Sequence, residues 1–267
     1  MPEGPEIRRA ADRVADVLLG QRIERVSFAF PELKRFEKHI TGAVTMAVDT
    51  RGKAMLTRFD NDLTLYSHNQ LYGRWFTVER DHLPDTRRSL RVALHTDSHS
   101  ALLYSASEIA ILTAEQLESH PFLSRLGPDV LNETLRADTI THRLGQDRFR
   151  RRSLAALYLD QAFLAGLGNY LRSEILFRAG LHPALRPNDL GPEEKHRLAR
   201  ETIAMCRRSY RTGGRTLTSG TGRRKADRFW VFARASRPCY DCGARIRREN
   251  FSGRRLYFCP ACQERTS

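Results

Sequence analysis

The chain has 267 residues, enough for two modest domains each with its own core. Its 45 Lys and Arg against 31 Asp and Glu leave a formal charge of +14, which favours a polyanionic partner such as DNA or ribosomal RNA, although an Arg-rich bias also follows from a GC-rich genome. No run of about 18 apolar residues occurs and the N-terminus lacks a secretion signal. A membrane span and a disulfide framework are therefore excluded, and a cytoplasmic protein with reduced thiols is expected.

From Pro2 to Gly20 the spacing predicts a helix: Ile7, Ala10, Ala11, Val14 and Leu18 share one face, and Arg8, Arg9, Asp12, Arg13 and Asp16 share the other. Short strands follow at Arg22 to Phe28, Ala43 to Asp49, Lys53 to Phe59, Leu63 to Ser67, Arg74 to Glu79, Leu90 to Thr96 and Ala101 to Ser105. Asp60-Asn61-Asp62 and Asp97-Ser98-His99 supply hairpin turns. Seven such strands behind one helix predict a β-sandwich or barrel. After about residue 107 the period becomes helical, with helices at Thr113 to Leu117, Thr134 to Leu144, Leu154 to Phe163, Asn169 to Ala179 and Pro192 to Arg208. Pro121, Gly127 and Pro128 mark a hinge, and Thr212 to Lys225, rich in Gly and Arg, reads as a mobile loop.

Three constellations carry chemistry. Cys239 and Cys242 form one CxxC knuckle, Cys259 and Cys262 another, and the 16 residues between them suit a closed tetrahedral Zn²⁺ site whose role is structural. Arg245, Arg247, Arg248, Arg254 and Arg255 lie between the knuckles with Phe251 and Tyr257, so a two-stranded hairpin carrying Arg toward phosphates is expected. Cys206, alone on a helix, reads as filler. Gly166-Leu167-Gly168-Asn169 sits between two helices: Asn169 is placed to cap the second, and free backbone N–H groups there suit a phosphate, while an ordinary corner serves equally well. Third, removal of Met1 leaves Pro2 with a secondary amine, whose α-amine pKa near 8 makes it a nucleophile at neutral pH, with Glu3 beside it as a proton donor. Helix capping is the plainer reading of the same two residues.

Pro2-Glu3-Gly4-Pro5-Glu6, Thr50-Arg51-Gly52-Lys53, LTLYSHNQLYG from Leu63 to Gly73, DQAFLAGLGNYLR from Asp160 to Arg172 and the four-cysteine finger occur in one order. Together they resemble the formamidopyrimidine-DNA glycosylase/endonuclease VIII family over essentially the whole chain. Gly4-Pro5 is similar to the endonuclease VIII branch, where the sister branch typically has Leu-Pro.

The resemblance implies an α+β fold: an N-terminal β-sandwich with a leading helix over 1–120, a hinge at 121–130, a helical domain with a helix–two-turn–helix motif over 131–228, and a four-cysteine zinc finger over 229–265. It implies a monomeric, bifunctional DNA glycosylase and AP lyase with double-stranded damaged DNA lying between the halves. Pro2 becomes the Schiff-base nucleophile, Glu3 the proton donor and Lys53 the holder of a phosphate near the lesion. Gln70, Leu71 and Tyr72 become the loop that fills the space of a flipped base, where pattern alone reads Leu71 and Tyr72 equally well as strand core. Arg125 and Asn169 match DNA-phosphate contacts, Arg254 a finger arginine at the lesion that also serves elimination, and Glu6 and Glu174 structural supports. Oxidised pyrimidines are the implied substrates and β,δ-elimination the implied cleavage. A purine-directed enzyme of the sister branch and a non-catalytic zinc-ribbon DNA binder are the alternatives. Arg234-Ala235-Ser236-Arg237-Pro238 lacks the Gly usual before that Pro, and Thr212 to Lys225 departs from the family in detail.

Overall fold

In a computed structural model of the chain the described residues are 2–217 and 225–265. They divide into two compact units, one built from Glu6–Arg125 with Pro2, the other from Leu126 onward with Glu3–Pro5.

The first unit begins with helix α1 (Gly4–Leu18), whose Ile7, Ala10, Ala11, Val14 and Leu18 are all buried, as the spacing requires. The strands are β1 (Arg25–Phe28), β2 (Thr45–Arg51), β3 (Ala54–Phe59), β4 (Thr64–His68), β5 (Arg74–Glu79), β6 (Leu90–His95), β7 (His99–Tyr104) and β8 (Glu108–Leu112). Two four-stranded antiparallel sheets result, in the orders β1-β6-β7-β5 and β2-β3-β4-β8. Val26, Phe28, Trp75, Leu94 and Leu103 from the first sheet share a core with Val48, Met55, Leu65 and Ile111 from the second, and the buried stripe of α1 joins them. This is the expected sandwich with its leading helix. In β1 the alternation is clean, with Val26 and Phe28 buried and Arg25 and Ser27 exposed.

Three elements correct the sequence reading of this unit. Glu108–Leu112, which falls after the expected change to a helical period and within no expected element, is a strand: its register runs from Thr64↔Leu112 to His68↔Glu108, so β4 supplies a ladder that local periodicity does not reveal. Two four-residue helices, α2 (Pro31–Lys34) and α3 (Glu37–Ile40), fill the interval after β1 and bury Leu33 and Ile40. The helix expected at Thr113 to Leu117 is present as α4 (Ala114–Glu118), starting from a complete capping box made by Thr113 and Gln116. A 3-10 turn at Leu123–Arg125 then ends the unit.

The second unit holds α5 (Ala137–Gly145), α6 (Leu154–Leu157), α7 (Asn169–Arg178), α8 (Pro192–Thr212) and the hairpin of β9 (Arg247–Phe251) and β10 (Arg254–Phe258). Helix α7 is its centre, with every residue from Tyr170 to Phe177 buried. The helix expected over Leu154 to Phe163 stops at Leu157, where the backbone tightens into turns (Leu159 N–H to Ala156 O, Asp160 N–H to Leu157 O) and side chains take up several of the groups that follow. The Asp160 carboxylate accepts from Ala162 N–H at 2.8 Å, Gln161 spans Leu167 O and Gly166 N–H, and Arg143 donates to the Ala162 and Phe163 carbonyls. Cys206 is fully buried on α8, in the role of filler. Helix α8 runs four residues past its expected end and closes on Gly213 in the left-handed region at φ 72°. Of the loop expected at 212–225, residues 218–224 lie outside the described residues; before them, Thr216 and Leu217 N–H both donate to Arg228 O at 2.9 and 3.1 Å. No helix among the described residues is long and apolar enough to cross a membrane.

Candidate functional site

The chain start and the GLGN loop form one object in the second unit. Glu3 is 2% exposed, and its carboxylate accepts from Tyr170 N–H at 2.8 Å and Leu171 N–H at 3.3 Å. Gly4 N–H donates to Gly166 O at 2.8 Å. The N-terminus of α7 thus already holds an anion, the carboxylate of Glu3, where its unpaired N–H groups and dipole favour one. Two expectations change. The cap of α7 is Gly168, with Asn169 as its first helical residue, and the N–H groups read as open to a phosphate are taken by Glu3. Glycine at 168 is a steric demand: a Cβ there falls 2.4 Å from Glu3 Cδ and Oε1.

Asn169 turns its Oδ1 to Arg172, which donates from Nη2 at 2.7 Å. Arg172 is fully buried and also bonds the Ala155 and Arg255 carbonyls at 2.9 and 3.3 Å, so one guanidinium fastens the start of α7 to β10. Burial lowers its pKa to about 10, with Glu3 acting to raise it and Arg254 to lower it. Arg254 itself is exposed at the first position of β10, directly after the tight turn Ser252-Gly253, where φ is 51° and 75°. Glu174 is buried and accepts from the N–H groups of Trp230, Val231 and Phe232 and from the Thr216 hydroxyl, the support expected of it; burial pushes its carboxyl pKa up against those bonds.

The hairpin stands between the two knuckles as expected. The Sγ atoms of Cys239, Cys242, Cys259 and Cys262 all lie within 4.8 Å of one another, with Cys239–Cys262 at 3.9 Å and Cys242–Cys259 at 3.4 Å. Thiolates placed tetrahedrally around Zn²⁺ at about 2.3 Å are about 3.8 Å apart, whereas a disulfide needs about 2.05 Å. The four cysteines therefore fit a metal centre and do not pair. Gln263 fixes the second knuckle by accepting from Cys259 N–H and donating to Leu181 O.

In the first unit Lys53 is 8% exposed, in the β2–β3 turn whose Gly52 sits at φ 62°. That burial rules out a solvated strand-end lysine. Its charge acts on His68, whose pKa is lowered by burial first, raised by Glu108 and lowered again by Lys53. Gln70, Leu71 and Tyr72 form a turn between β4 and β5, which belong to different sheets. Leu71 and Tyr72 are 60% and 68% exposed, which rules out their reading as strand core. Arg125 is exposed at the end of the 3-10 turn. The loop closes through Gly73 N–H to Asn69 O at 2.7 Å, and a Cβ on Gly73 meets Asn69 Cα at 2.6 Å. Gly73→Ala is therefore expected to cost about 1–3 kcal/mol by overpacking against backbone. Urea unfolding measures this directly, and an unchanged midpoint contradicts it.

Sequence reading passed over Arg172 and Glu108, and read Gly168 as a turn glycine without its steric tie to Glu3. Arg172 lay inside a quoted motif without a role, and Asn169 three residues before it was the available signal. Glu108 offered none, because its partners are 38 to 42 positions away.

A sandwich with a leading helix, a helical unit built around a captured N-terminal carboxylate, and a four-thiolate hairpin define the class of the formamidopyrimidine-DNA glycosylase fold. Residues 1–107 match the formamidopyrimidine-DNA glycosylase N-terminal domain, and residues 126–221 match the H2TH domain of the same enzymes. The chain is 48% identical over 263 residues to Endonuclease 8 of Pectobacterium atrosepticum and 49% identical to that of Escherichia coli, covering 98% of this chain and all of each relative. It is similar in fold to Lactococcus lactis Fpg in complex with Fapy-dG DNA, at TM-score 0.83 and 21% identity, covering 99% of this chain and all of the other. The same enzyme with abasic-site DNA matches at TM-score 0.83 and 20% identity, covering 98% of this chain and all of that one. The chain belongs to the formamidopyrimidine-DNA glycosylase/endonuclease VIII family.

Proposed function

We propose that the protein is a bifunctional DNA glycosylase and AP lyase of base excision repair, acting as a cytoplasmic monomer on oxidised pyrimidines in double-stranded DNA. The observation that carries this reading is the Glu3 carboxylate fixed by Tyr170 and Leu171 N–H beside Pro2, a use of the chain start that a passive DNA binder does not need. The identity to Endonuclease 8 relatives, 48–49%, against 20–22% to Fpg structures, favours pyrimidine lesions over the purine lesions of the sister branch.

With Met1 removed, the Pro2 lone pair attacks the sugar C1′, the bond to the damaged base breaks, and the base leaves with a proton. Glu3 carries protons between the ring oxygen, the amine and the departing base. The C1′–O4′ bond then breaks as O4′ takes a proton from Glu3, opening the sugar to an iminium that withdraws electrons, so loss of a C2′ proton expels the 3′ phosphate and a second elimination expels the 5′ phosphate. Hydrolysis then frees the amine, leaving a one-nucleoside gap. Lys53, Arg125, Asn169 and Arg254 hold phosphates. Gln70, Leu71 and Tyr72 fill the vacated stack. The cysteines hold Zn²⁺, whose contribution is to fold the hairpin.

Borohydride trapping tests the reading. Duplexes with thymine glycol, 8-oxoguanine or an abasic site are expected to give a covalent adduct, fastest with thymine glycol, that peptide mapping places on Pro2. An adduct on Lys53 overturns the nucleophile, faster trapping on 8-oxoguanine overturns the substrate class, and no adduct on any duplex overturns the enzyme.

A further inference from the structure

Glu108 lies outside every motif that the proposed chemistry uses, yet three residues of the Leu63–Gly73 motif, Tyr66, His68 and Gln70, meet at its carboxylate. Strand register sets it directly opposite His68, the last residue of β4 before the exposed loop. Its Oε1 accepts from Tyr66 OH at 2.8 Å, and its Oε2 accepts from Gln70 Nε2 at 3.1 Å and faces His68 Nδ1 at 3.7 Å. Ser107, its neighbour, donates from Oγ to Gln70 Oε1 at 2.9 Å. Both ends of the Gln70 amide are therefore held from β8 and the residue before it.

The backbone explains why holding is needed. Gln70 sits at φ 46°, a left-handed conformation that costs a non-glycine residue about 1–2 kcal/mol. Leu71 and Tyr72 next to it pack against little, being 60% and 68% exposed. A loop of that kind would sample many conformations, and ordering it during insertion into bound DNA would oppose the extrusion step. The clamp on Gln70 offsets the backbone strain and removes that disorder in advance. Tyr66, buried and hydrogen-bonded, has its pKa raised, so the phenol remains a donor to the carboxylate across the neutral range.

We propose that Glu108 is a positioning residue that preorganises the Gln70-Leu71-Tyr72 wedge, acting through Gln70, so that the enzyme's preference for a base that must be extruded depends on it. This rests on the glycosylase reading of the protein, and the wedge role of the loop with it.

The test compares two substrates. A thymine-glycol duplex requires extrusion of a base and filling of the gap, whereas a single-stranded abasic oligonucleotide requires neither. In Glu108→Ala the ratio of base excision on the first to borohydride trapping on the second is expected to fall about tenfold, the worth of one hydrogen bond to an ionised acceptor. The loss should appear at saturating duplex, in kcat more than in KM. Ser107→Ala, which leaves the carboxylate in place, should lower the ratio in the same direction by a smaller factor. Glu108→Gln, which keeps an acceptor for Tyr66 and the bulk of the side chain, should recover part of it. An unchanged ratio in Glu108→Ala, or a proportional fall on both substrates, overturns the positioning role while the parent enzyme still traps DNA. Absence of trapping by the parent protein itself overturns the glycosylase reading, and this role with it.

Discussion

Gly168→Ala is expected to lower base excision by about 100-fold or more while the protein stays folded. The argument is geometric. Gly168 lies at φ −143° and ψ −154°, extended backbone that alanine adopts without strain. The added methyl meets nothing of the backbone as closely as it meets Glu3, whose Cδ and Oε1 are both 2.4 Å away. Something must move, and a carboxylate on a flexible stem moves more easily than a helix start. Glu3 then loses its bonds to Tyr170 and Leu171 N–H, and with them the position from which the proposed mechanism has it transfer protons. Loss of a positioned acid–base group costs about 10²–10⁴ in rate. Thermal unfolding should shift by only several degrees, since each of the buried Tyr170 and Leu171 N–H groups left without its partner costs about 1–3 kcal/mol, at about 2–4 °C per kcal/mol. A single-turnover assay on thymine-glycol DNA beside a melting curve separates the two effects. Full activity in the variant would falsify the claim that Glu3 works from this seat.

The second large effect is expected at the cysteines. Cys242→Ser should abolish binding of one equivalent of zinc and lower duplex affinity by at least about tenfold, the worth of one charge-assisted contact. Leu256 and Phe258 seat β10 in the helical core, but the knuckles themselves rest on a small buried cluster of Phe177, Val231, Ile246 and two of the ligands, Cys239 and Cys259. Structural zinc in small domains contributes about 10–16 kcal/mol, far more than three apolar side chains supply. Without the ion the knuckles at both ends of the hairpin loosen, and Arg254, exposed after the turn Ser252-Gly253, is held less firmly. Metal analysis and fluorescence anisotropy with a lesion duplex check this. Zinc retained at one equivalent with unchanged affinity stands against it.

How far the sequence could be read depended on whether a residue's partners were near it in the chain. The stripe of α1 and the hairpin turns at Asp60-Asn61-Asp62 and Asp97-Ser98-His99 are local, and they were legible. The cysteine spacing was equally so, because knuckle geometry is set within four residues. Glu108–Leu112 was misread because Ile109, Ala110, Ile111 and Leu112 suit either period, and only the ladder from β4 decides. Asn169 was read as a cap by the usual preference of its type, but a carboxylate 167 positions away from Tyr170 made glycine obligatory at the capping position instead. Arg172 and Glu108 are charged residues in ordinary surroundings, and nothing in their neighbours announces a buried guanidinium or a shared carboxylate. The roles of Pro2, Glu3 and Lys53 came from resemblance; their spacing alone left plainer readings standing.

Chain ends usually fray, and a few residues more or fewer are tolerated there. Here Glu3 and Gly4 are bolted by their side chain and backbone to residues 166–171, so the first residues are counted from a fixed point. Adding one residue between Pro2 and Glu3 would carry the proline by up to about 3.8 Å, a full Cα step. Adding any residue ahead of Pro2 would turn its amine into an amide. For the nucleophile proposed above, the spacing from Pro2 to this anchor therefore acts as a ruler with no slack.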